Sequence, residues 1–253
     1  LPGGIFTLYV EDDLGCIATQ IDTVINPDSI YIDTVYFNNV TCYGAYDGVV
    51  TGIDVVGGTL PYEYSVNGGV RHANMSYFNG YGPGFYTIEV FDANNCSAPF
   101  IILIEEPDEL DVHTQRTNYN GYEIDCYGAN SGGIGFDVSG GLTPYLYECI
   151  NSLGNIVTST STDTIGNLIA DSMYIFMITD GNGCVYQEYI RFKEPDSISH
   201  NFIATHVSCT GWNNGVLIDS VYGGVGNATT YQYIWNTGDV TYSIDSLVVG
   251  TYT

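Results

Sequence analysis

The fold is predicted by one stretch of the sequence, Gly84-Phe85-Tyr86-Thr87-Ile88-Glu89-Val90-Phe91-Asp92-Ala93-Asn94-Asn95-Cys96. Its apolar side chains recur at every second position, which is the pattern of a half-buried β-strand. An aspartate then lies four residues before the cysteine, and an asparagine lies directly before it. Because asparagine and glycine tolerate positive φ, this ending predicts a tight β-hairpin.

The hairpin stretch recurs along the chain. Equivalent stretches cover residues 4–16 and 173–184, and a fourth begins at Gly250. Thr7, Thr87, Ile175 and Thr253 hold the same place in the four copies, so the spacings are 80, 88 and 78 residues. Periods of this size predict tandem domains, each about as long as one β-sandwich.

A proline joint follows each of the first three hairpins. The joints are Asn26-Pro27-Asp28, Glu106-Pro107-Asp108 and Glu194-Pro195-Asp196, and each proline lies 11 residues after the hairpin cysteine. Because proline cannot donate to a strand ladder, we place the repeat boundaries there. We predict the C-terminal strands of a truncated repeat at residues 1–26, full repeats at 27–106 and 107–194, and the N-terminal part of a further repeat at 195–253.

Three more strands are predicted inside each repeat. In the first full repeat they cover residues 31–37, 48–56 and 62–66, and a turn with two glycines precedes the third. The corresponding third strands are residues 145–149 and 231–235. Short strands between turn residues, without a sustained 3.6-residue period, predict an all-β fold of tandem immunoglobulin-like antiparallel β-sandwiches that form an elongated rod.

The charge of the chain excludes several partners. It has 29 acidic and only 4 basic residues, with a net charge of −25. Such a chain repels nucleic acid and anionic membrane surfaces. We therefore expect no nucleic-acid binding, and no membrane insertion in this segment, since no apolar run reaches the roughly 18 to 20 residues of a membrane span.

The repeat pattern resembles a known family. It combines a cysteine before a Gly-rich turn, Gly-Gly-x-x-Pro-Tyr-x-Tyr, Leu-x-x-Gly-x-Tyr and Asp-x-x-Gly-Cys, and this combination is similar to the SprB repeat. The resemblance implies a very long cell-surface adhesin of gliding Bacteroidota, exported by type IX secretion. It departs from the pattern at Phe6, where tyrosine is expected, and before Tyr231, where proline is missing.

Six of the seven cysteines hold repeat positions, which in a secreted chain predicts disulfides. In an immunoglobulin-like sandwich, the loop after the first strand and the last hairpin lie at opposite ends of the domain. A bond from Cys42 to Cys96 would then exceed the roughly 7 Å limit on Cα separation. We expect Cys42 to pair with Cys184 in the following repeat. Cys16, Cys96, Cys126 and Cys209 would pair beyond the fragment or with neighbouring copies.

Two alternatives for these cysteines stay open: sequential pairs such as Cys96–Cys126, or reduced thiols. Cys149 differs, because it lies where the other repeats have Val66 and Trp235, on the inward face of the third strand. We expect it to be a buried thiol that packs as a small apolar side chain.

A second recurring signal is Asp-Ser/Thr followed by an apolar residue, which occurs eight times. The pattern resembles the O-glycosylation acceptor motif of Bacteroidota, and such sugars would keep an array soluble. The alternative is that these triplets only start strands and turns. The candidate acceptor hydroxyls are Thr23, Ser29, Thr34, Thr164, Ser172, Ser197, Ser220 and Ser246.

No cofactor and no enzymatic activity are expected. The hairpin aspartates Asp12, Asp92 and Asp180 offer hard oxygens for calcium, but their spacing falls short of a full calcium loop, and Asx side chains in hairpins usually cap their own backbone. The four histidines lack zinc-ligand spacing. No nucleophile elbow or phosphate loop is present.

Three functions remain. The first is the stalk or filament segment of a giant secreted adhesin that supports surface adhesion or gliding, with neighbouring repeats, other copies, and surface polysaccharide or the substratum as partners. The second is a carbohydrate-binding array, which an exposed aromatic row in every repeat would favour. The third is a self-assembling extracellular fibre, which unpaired strand edges would favour.

Overall fold

The computed structural model describes residues 3–73, 77–170, 173–226 and 230–253. In these residues the chain forms nineteen β-strands and no α-helix, and the strands pair antiparallel in six sheets. The predicted all-β antiparallel fold is confirmed. The chain divides into two compact units, residues 1–109 and 110–253. The four-part repeat division and the rod stay predictions.

The chain begins with an isolated hairpin. Strands β1 (Gly4–Glu11) and β2 (Ile17–Val24) pair along their whole length, with Gly4 opposite Val24 and Glu11 opposite Ile17. These two strands form a sheet by themselves. All of their side chains except that of Phe6 are exposed. The predicted final hairpin is therefore formed, but without a sandwich beneath it.

The first full repeat is a two-layer sandwich. One sheet has the order β3-β4-β7 and the other β6-β5-β8-β9. The strands are β3 (Tyr31–Asn38), β4 (Gly48–Val56), β5 (Glu63–Val66), β6 (His72–Ala73), β7 (Phe78–Tyr81), β8 (Gly84–Phe91) and β9 (Ser97–Ile104).

Alternating side chains of both sheets fill the space between them. Val50 of one sheet and Ile88 and Val90 of the other are at most 1% exposed, and Ile102 and Ile104 belong to the same cluster. The period-2 pattern of the hairpin stretch thus places its apolar face against the opposite sheet.

The second full repeat has the same arrangement, with sheets β10-β11-β14 and β13-β12-β15-β16. Its core includes Phe136, whose ring centroid lies 5.6 Å from those of both Tyr147 and Phe176. Its strands are β10 (Asp111–Arg116), β11 (Gly132–Ser139), β12 (Leu146–Ile150), β13 (Ile156–Thr160), β14 (Thr164–Leu168), β15 (Met173–Thr179) and β16 (Val185–Arg191).

The last repeat is half of this sandwich. In its described residues a single sheet is present, β17-β18-β19, with β17 (Ser199–Thr205), β18 (Gly215–Tyr222) and β19 (Ser243–Leu247). Residues 231–235, predicted as a strand, belong to no sheet. The prediction is wrong here because β5 and β12 become strands by pairing with the final hairpin, through β8 and β15.

Truncation of the hairpin core should destabilise the first sandwich. Ile88→Ala removes a side chain that is 0% exposed, so we expect a loss of about 2 to 5 kcal/mol. Hydrogen exchange of the β8 and β9 amides would measure it. Ile101→Ala in the same hairpin is the control, because that side chain is 65% exposed and its loss should stay within about 0.5 kcal/mol. Equal effects of the two variants would contradict this assignment of the core.

Candidate functional sites

A hairpin aspartate connects two turns of the first sandwich. The Oδ1 atom of Asp92 accepts the backbone N–H groups of Asn94 and Cys96, at 2.9 and 2.8 Å. Its Oδ2 atom accepts the N–H of Thr59, at 3.0 Å, from the two-glycine turn. The carboxylate therefore closes its own hairpin and holds the turn before the third strand.

The second sandwich repeats this site. Asp180 accepts from Asn182 and Cys184 with Oδ1, at 2.9 and 2.8 Å, and from Leu142 with Oδ2, at 2.9 Å. The glycine before Leu142, Gly141, has φ +58°, and a Cβ there would lie against the Asp180 carboxylate. Only glycine fits this close approach without strain.

The hydrogen bonds lower the pKa of these aspartates. Burial alone would raise the pKa of Asp92, but the N–H donors of Cys96, Thr59 and Asn94 together lower it below the ordinary value. The pKa of Asp180 is lowered in the same way, against the effect of its burial. In the isolated hairpin, the N–H groups of Cys16 and Leu14 lower the pKa of Asp12. The three carboxylates thus act as charged acceptors for backbone donors.

The hydrogen bonds of these aspartates bear on whether their oxygens could act as calcium ligands. Both oxygens of Asp92 and of Asp180 accept backbone N–H groups, as expected for Asx side chains that cap their own turn. Within the described ranges, no group of three or more His, Cys, Asp or Glu side chains is placed to hold a metal ion. The aspartates are structural acceptors in this arrangement.

Each end of the first sandwich has its own clamp. At the beginning, the N–H of Gly58 donates to the carbonyl of Asp28 at 3.0 Å, so the joint lies on the two-glycine turn. At the far end, the N–H of Gly44, in the turn after Cys42, donates to Oε2 of Glu106 at 2.8 Å. Gly128 and Glu194 make the same contact in the second sandwich, at 2.7 Å. The joint residues are therefore fixed to their own domains.

The two clamps show at which end of the first sandwich each cysteine lies. Cys42 lies at the Glu106 end of its sandwich, while the Cys96 hairpin contacts Thr59 at the Asp28 end. Cys42 and Cys184 each take part in a disulfide bond. Cys16, Cys96, Cys126 and Cys209 are exposed free thiols. The pairing of Cys42 with Cys184 stays a prediction and is considered below.

Cys149 is the buried thiol that its inward position predicted. It is 0% exposed, on β12, and pairs across the sheet with Phe176. Burial raises the pKa of its thiol to about 11. A thiol in this environment stays protonated at neutral pH and packs as an apolar group.

The candidate acceptor hydroxyls lie mostly on the surface. Thr23, Ser29, Thr164, Ser197 and Ser246 are exposed, and Thr34 and Ser220 are half-buried. In four triplets the following apolar residue is buried, namely Ile30, Val35, Ile165 and Leu247. Ser172 lies outside the described residues. In these four triplets the apolar side chain packs inward, and the hydroxyl residue is exposed or half-buried.

The repeated tyrosines have structural roles. Tyr86, Tyr174 and Tyr252 each lie against the backbone a few residues upstream, and Tyr86 donates to the carbonyl of Gly82 at 3.0 Å. This contact is a tyrosine corner, which is typical of immunoglobulin-like sandwiches. A second set, Tyr62, Tyr145 and Tyr231, donates to the first carbonyl of the two-glycine turn, at 2.5 to 2.6 Å. Sequence analysis missed this second contact, although its constant spacing from the glycines was visible in the two full repeats.

A family model matches part of the first full repeat. Residues 34–71 match the SprB repeat. The resemblance predicted from the sequence is confirmed for that segment, which runs from β3 through the Cys42 turn and the two-glycine turn to the end of β5 and beyond. The matched segment contains two of the donors described above. They are the N–H of Gly44, which donates to Glu106, and the N–H of Thr59, which donates to Asp92.

Two solved structures are similar to the chain. One contains three N-terminal domains of the highly immunogenic outer capsid protein (Hoc) of bacteriophage RB49, with 14% identity, TM-score 0.41, and coverage of 82% of this chain and 75% of that one. The other is a tetra-tandem repeat in the extending region of a large adhesion protein, with 12% identity, TM-score 0.29, and coverage of 98% and 74%. No curated protein matches the chain.

The hairpin aspartate should make the sandwich acid-sensitive. In Asp92→Asn the side chain keeps one oxygen, and an NH2 group replaces the other. If the oxygen keeps the contacts of Oδ1, the NH2 group faces the N–H of Thr59, so the Thr59 contact is lost. We expect hydrogen exchange at Thr59 and residues 94–96 to become about 5- to 10-fold faster at pH 7, the factor for one ordinary hydrogen bond.

The pH dependence has a definite sign. Because folding lowers the pKa of Asp92, its contribution is complete above the unfolded pKa of about 3.9 and is lost as the pH falls through the folded pKa. The difference between the variant and the original chain should therefore shrink only once the pH falls below that unfolded value. Asp137→Asn, on an exposed position of β11, is the control. A difference that stays constant with pH would contradict the role of the charge.

Proposed function

We propose that this chain is a load-bearing stalk segment of a secreted cell-surface adhesin, in which it supports adhesion or gliding. The observation that carries the proposal is the match of residues 34–71 to the SprB repeat. Support also comes from the repeated sandwiches, whose stability is nearly a sum of domain and neighbour terms, as in other tandem arrays.

The clamps at the joints support a mechanical role. Gly58 holds the carbonyl of Asp28, and Gly224 holds that of Asp196 at 2.7 Å in the last repeat. Glu106 and Glu194 hold the opposite ends of the two full sandwiches. A pull on the joints is therefore passed to backbone hydrogen bonds inside each domain, rather than to a flexible linker.

A disulfide between repeats would reinforce the joint. Cys42 lies at the far end of its sandwich, and Cys184 lies in the last hairpin of the second one, at the end where the two-glycine turn receives the Asp180 carboxylate. A Cys42–Cys184 bond would close a loop across the proline joint at Pro107. Such a loop cannot be extended by force while the bond is intact.

The carbohydrate-binding alternative has weaker support. The tyrosines at matching strand positions are buried or half-buried, as Tyr64 and Tyr147 illustrate. Tyr43 and Tyr127 are exposed after their cysteines, but Thr210 holds that place in the last repeat. A row of exposed aromatic rings in every repeat is therefore not formed at this position.

O-glycosylation and secretion belong to the same proposal. Outward hydroxyls in the Asp-Ser/Thr-apolar triplets would place sugars along the array, with surface polysaccharide or the substratum as the outer partner. Among the residues that the structure describes, no helical segment has the length and hydropathy of a membrane span.

Single-molecule force measurement tests the stalk and the disulfide between repeats together. We expect the chain, pulled at its two ends, to unfold in separate steps. A Cys42–Cys184 bond hides 142 residues, so reduction should lengthen the fully unfolded chain by about 500 Å, at roughly 3.5 Å per residue. Cys42→Ser is the control and should extend fully without reductant.

Other outcomes of this measurement separate the alternatives. A gain of about 100 Å would indicate Cys96–Cys126, which encloses 30 residues. No gain would mean reduced thiols. Extension without steps, at forces where folded domains hold, would contradict the stalk itself.

Glycosylation can be tested by removing one acceptor site and creating another. Protease treatment of intact producing cells should release peptides with sugar on Thr164 but not on Ser152. Asn151-Ser152-Leu153 is the control, because Ser152 is exposed as Thr164 is, and asparagine stands in place of the aspartate before it. We expect Asp163→Asn to remove the sugar at Thr164 and Asn151→Asp to add one at Ser152. Unmodified triplets, or release of peptides only after cell lysis, would count against the acceptor motif and the surface location respectively.

A further inference from the structure

The outer face of the larger sheet in the second full sandwich carries an apolar row. Strands β12, β15 and β16 alternate between inward and outward positions, and β13 completes the sheet. One row of outward positions crosses all four strands and consists of Ile156, Ile150, Ile175 and Tyr189. Ile156 and Tyr189, at its two ends, are 61% and 62% exposed. Because the open face of an antiparallel sheet usually carries polar side chains, this row marks a surface suited to contact.

Further apolar side chains widen the row on both sides. Met173 is 37% exposed, Leu146 is 42% exposed, and Met177 is half-buried on the same face. In the first full sandwich the corresponding row is Asn67, Thr87 and Ile101, of which two are polar. The apolar face is therefore a property of the second sandwich.

The same face carries one acidic and one basic side chain within its strands. Glu148 is the outward residue of β12 opposite Met177, and Arg191 is the outward residue of β16 opposite Met173. Glu188, the remaining charged residue of these four strands, alternates to the other side of the sheet. In a chain with 29 acidic and 4 basic residues, a face with balanced charges is a place where a second acidic chain can approach.

The corresponding face of the first sandwich is acidic. Glu63 of β5 and Glu89 of β8 hold outward positions. Arg71 lies 4.0 Å from Glu63, so it balances one of the two acids. Two copies would repel each other at this face, and the second sandwich is the better place for a contact between copies.

Glu148 and Arg191 are placed symmetrically about Ile175. Arg191 lies one strand to one side of Ile175 and two residues along, and Glu148 lies one strand to the other side and two residues in the opposite direction. Each is about 8 Å from Ile175, at about 4.8 Å per strand and 3.4 Å per residue. A two-fold axis above Ile175, in the plane of the interface and at right angles to the line joining the two charges, brings Arg191 of each copy opposite Glu148 of the other.

We propose that two copies of this chain pair face to face through the outer face of the second sandwich, about this two-fold axis. The apolar row would be buried between two sheets about 10 Å apart, with an Arg191–Glu148 pair on each side of it. Tyr189 of one copy would cover Ile175 and Met177 of the other. The inference goes beyond the stalk, since it concerns how copies lie side by side.

The size of the face limits the strength of this contact. Four strands of five to seven residues cover roughly 19 Å by 20 Å, or about 400 Å² per copy in projection. A standard interface buries about 800 Å² per partner, so this contact belongs to the weak class. We therefore expect monomers at about 1 µM and dimers as the concentration approaches about 1 mM.

The experiment is sedimentation of the 253-residue chain over this range, with the exposed thiols alkylated beforehand so that new disulfides cannot join copies. We expect a monomer–dimer equilibrium. Glu148→Arg alone, or Arg191→Glu alone, places like charges opposite one another on both sides of the axis and should weaken the dimer at least about 10-fold. These two variants change the net charge in opposite directions, so a loss common to both reports the local contact. The double variant brings opposite charges together again and should dimerise like the original chain.

Tyr189→Asp tests the apolar row. It adds a charge at the centre of the contact and should abolish the dimer. Ile101→Asp is the matched control, because it adds the same charge at the corresponding exposed position of the first sandwich and should leave the dimer unchanged. Hydrogen exchange of the β15 amides shows whether each variant keeps its fold.

Three results would overturn the proposal. The first is a chain that stays monomeric at about 1 mM, whether or not its Tyr189 face binds a polysaccharide. The second is a dimer that the single charge variants leave unchanged, because another surface then joins the copies. The third is a double variant as weak as the single ones, which would exclude this two-fold arrangement. The stepwise unfolding expected of a stalk does not depend on any of them.

Discussion

The carboxylate of Asp92, and its counterpart Asp180, is the contact on which the rest of the sandwich depends. It joins the last hairpin to the turn before the third strand, and so it ties two segments more than thirty residues apart at one end of the domain. A charged acceptor with three N–H donors is stronger than a neutral one. The two-glycine turn has positive φ at Gly58 and Gly141, and it lies so close to the carboxylate that a Cβ on Gly141 would be 2.6 Å from Oδ2 of Asp180.

The contacts around this carboxylate explain why the turn sequence is repeated. Tyr62 donates to the carbonyl of Gly57, and a Cβ on Gly57 would collide with the carbonyl of Ser29 in the joint. The same collision would occur between Gly223 and Ser197. Hairpin, turn and joint therefore form one hydrogen-bonded end, and a change at any of them is felt by the other two. The fixed distance from the hairpin cysteine to the next proline has a different origin, the length of the final strand, β9 (Ser97–Ile104), which leads from this end to the joint at Glu106.

Much of this could be predicted from the sequence, since long strands with period-2 alternation are the clearest signal. Gly48–Val56 was predicted to the residue, because a buried alternating run lies between two turns. The short strands β6 (His72–Ala73) and β13 (Ile156–Thr160) were not predicted, since their residues are mostly exposed and carry no alternation. The predicted strand at residues 231–235 is absent for the opposite reason. The alternating pattern is present, but no described strand pairs with these residues as β8 and β15 pair with β5 and β12. The Tyr62 contact to the turn carbonyl was missed because the constant spacing of the tyrosine from the glycines does not show which group its hydroxyl contacts.

The last repeat keeps part of the packing seen in the two full sandwiches. Trp235 still packs on Phe202, with 5.7 Å between ring centroids, and its indole N–H donates to the carbonyl of Thr241. The buried Oδ1 of Asp219 has no hydrogen-bond donor among the described residues, and Nδ1 of His200 lies 3.6 Å from it. A buried acceptor without a donor is costly. Because a covering strand would exclude water from this pair, closure must either bring a polar group to Asp219 or shorten its contact with His200.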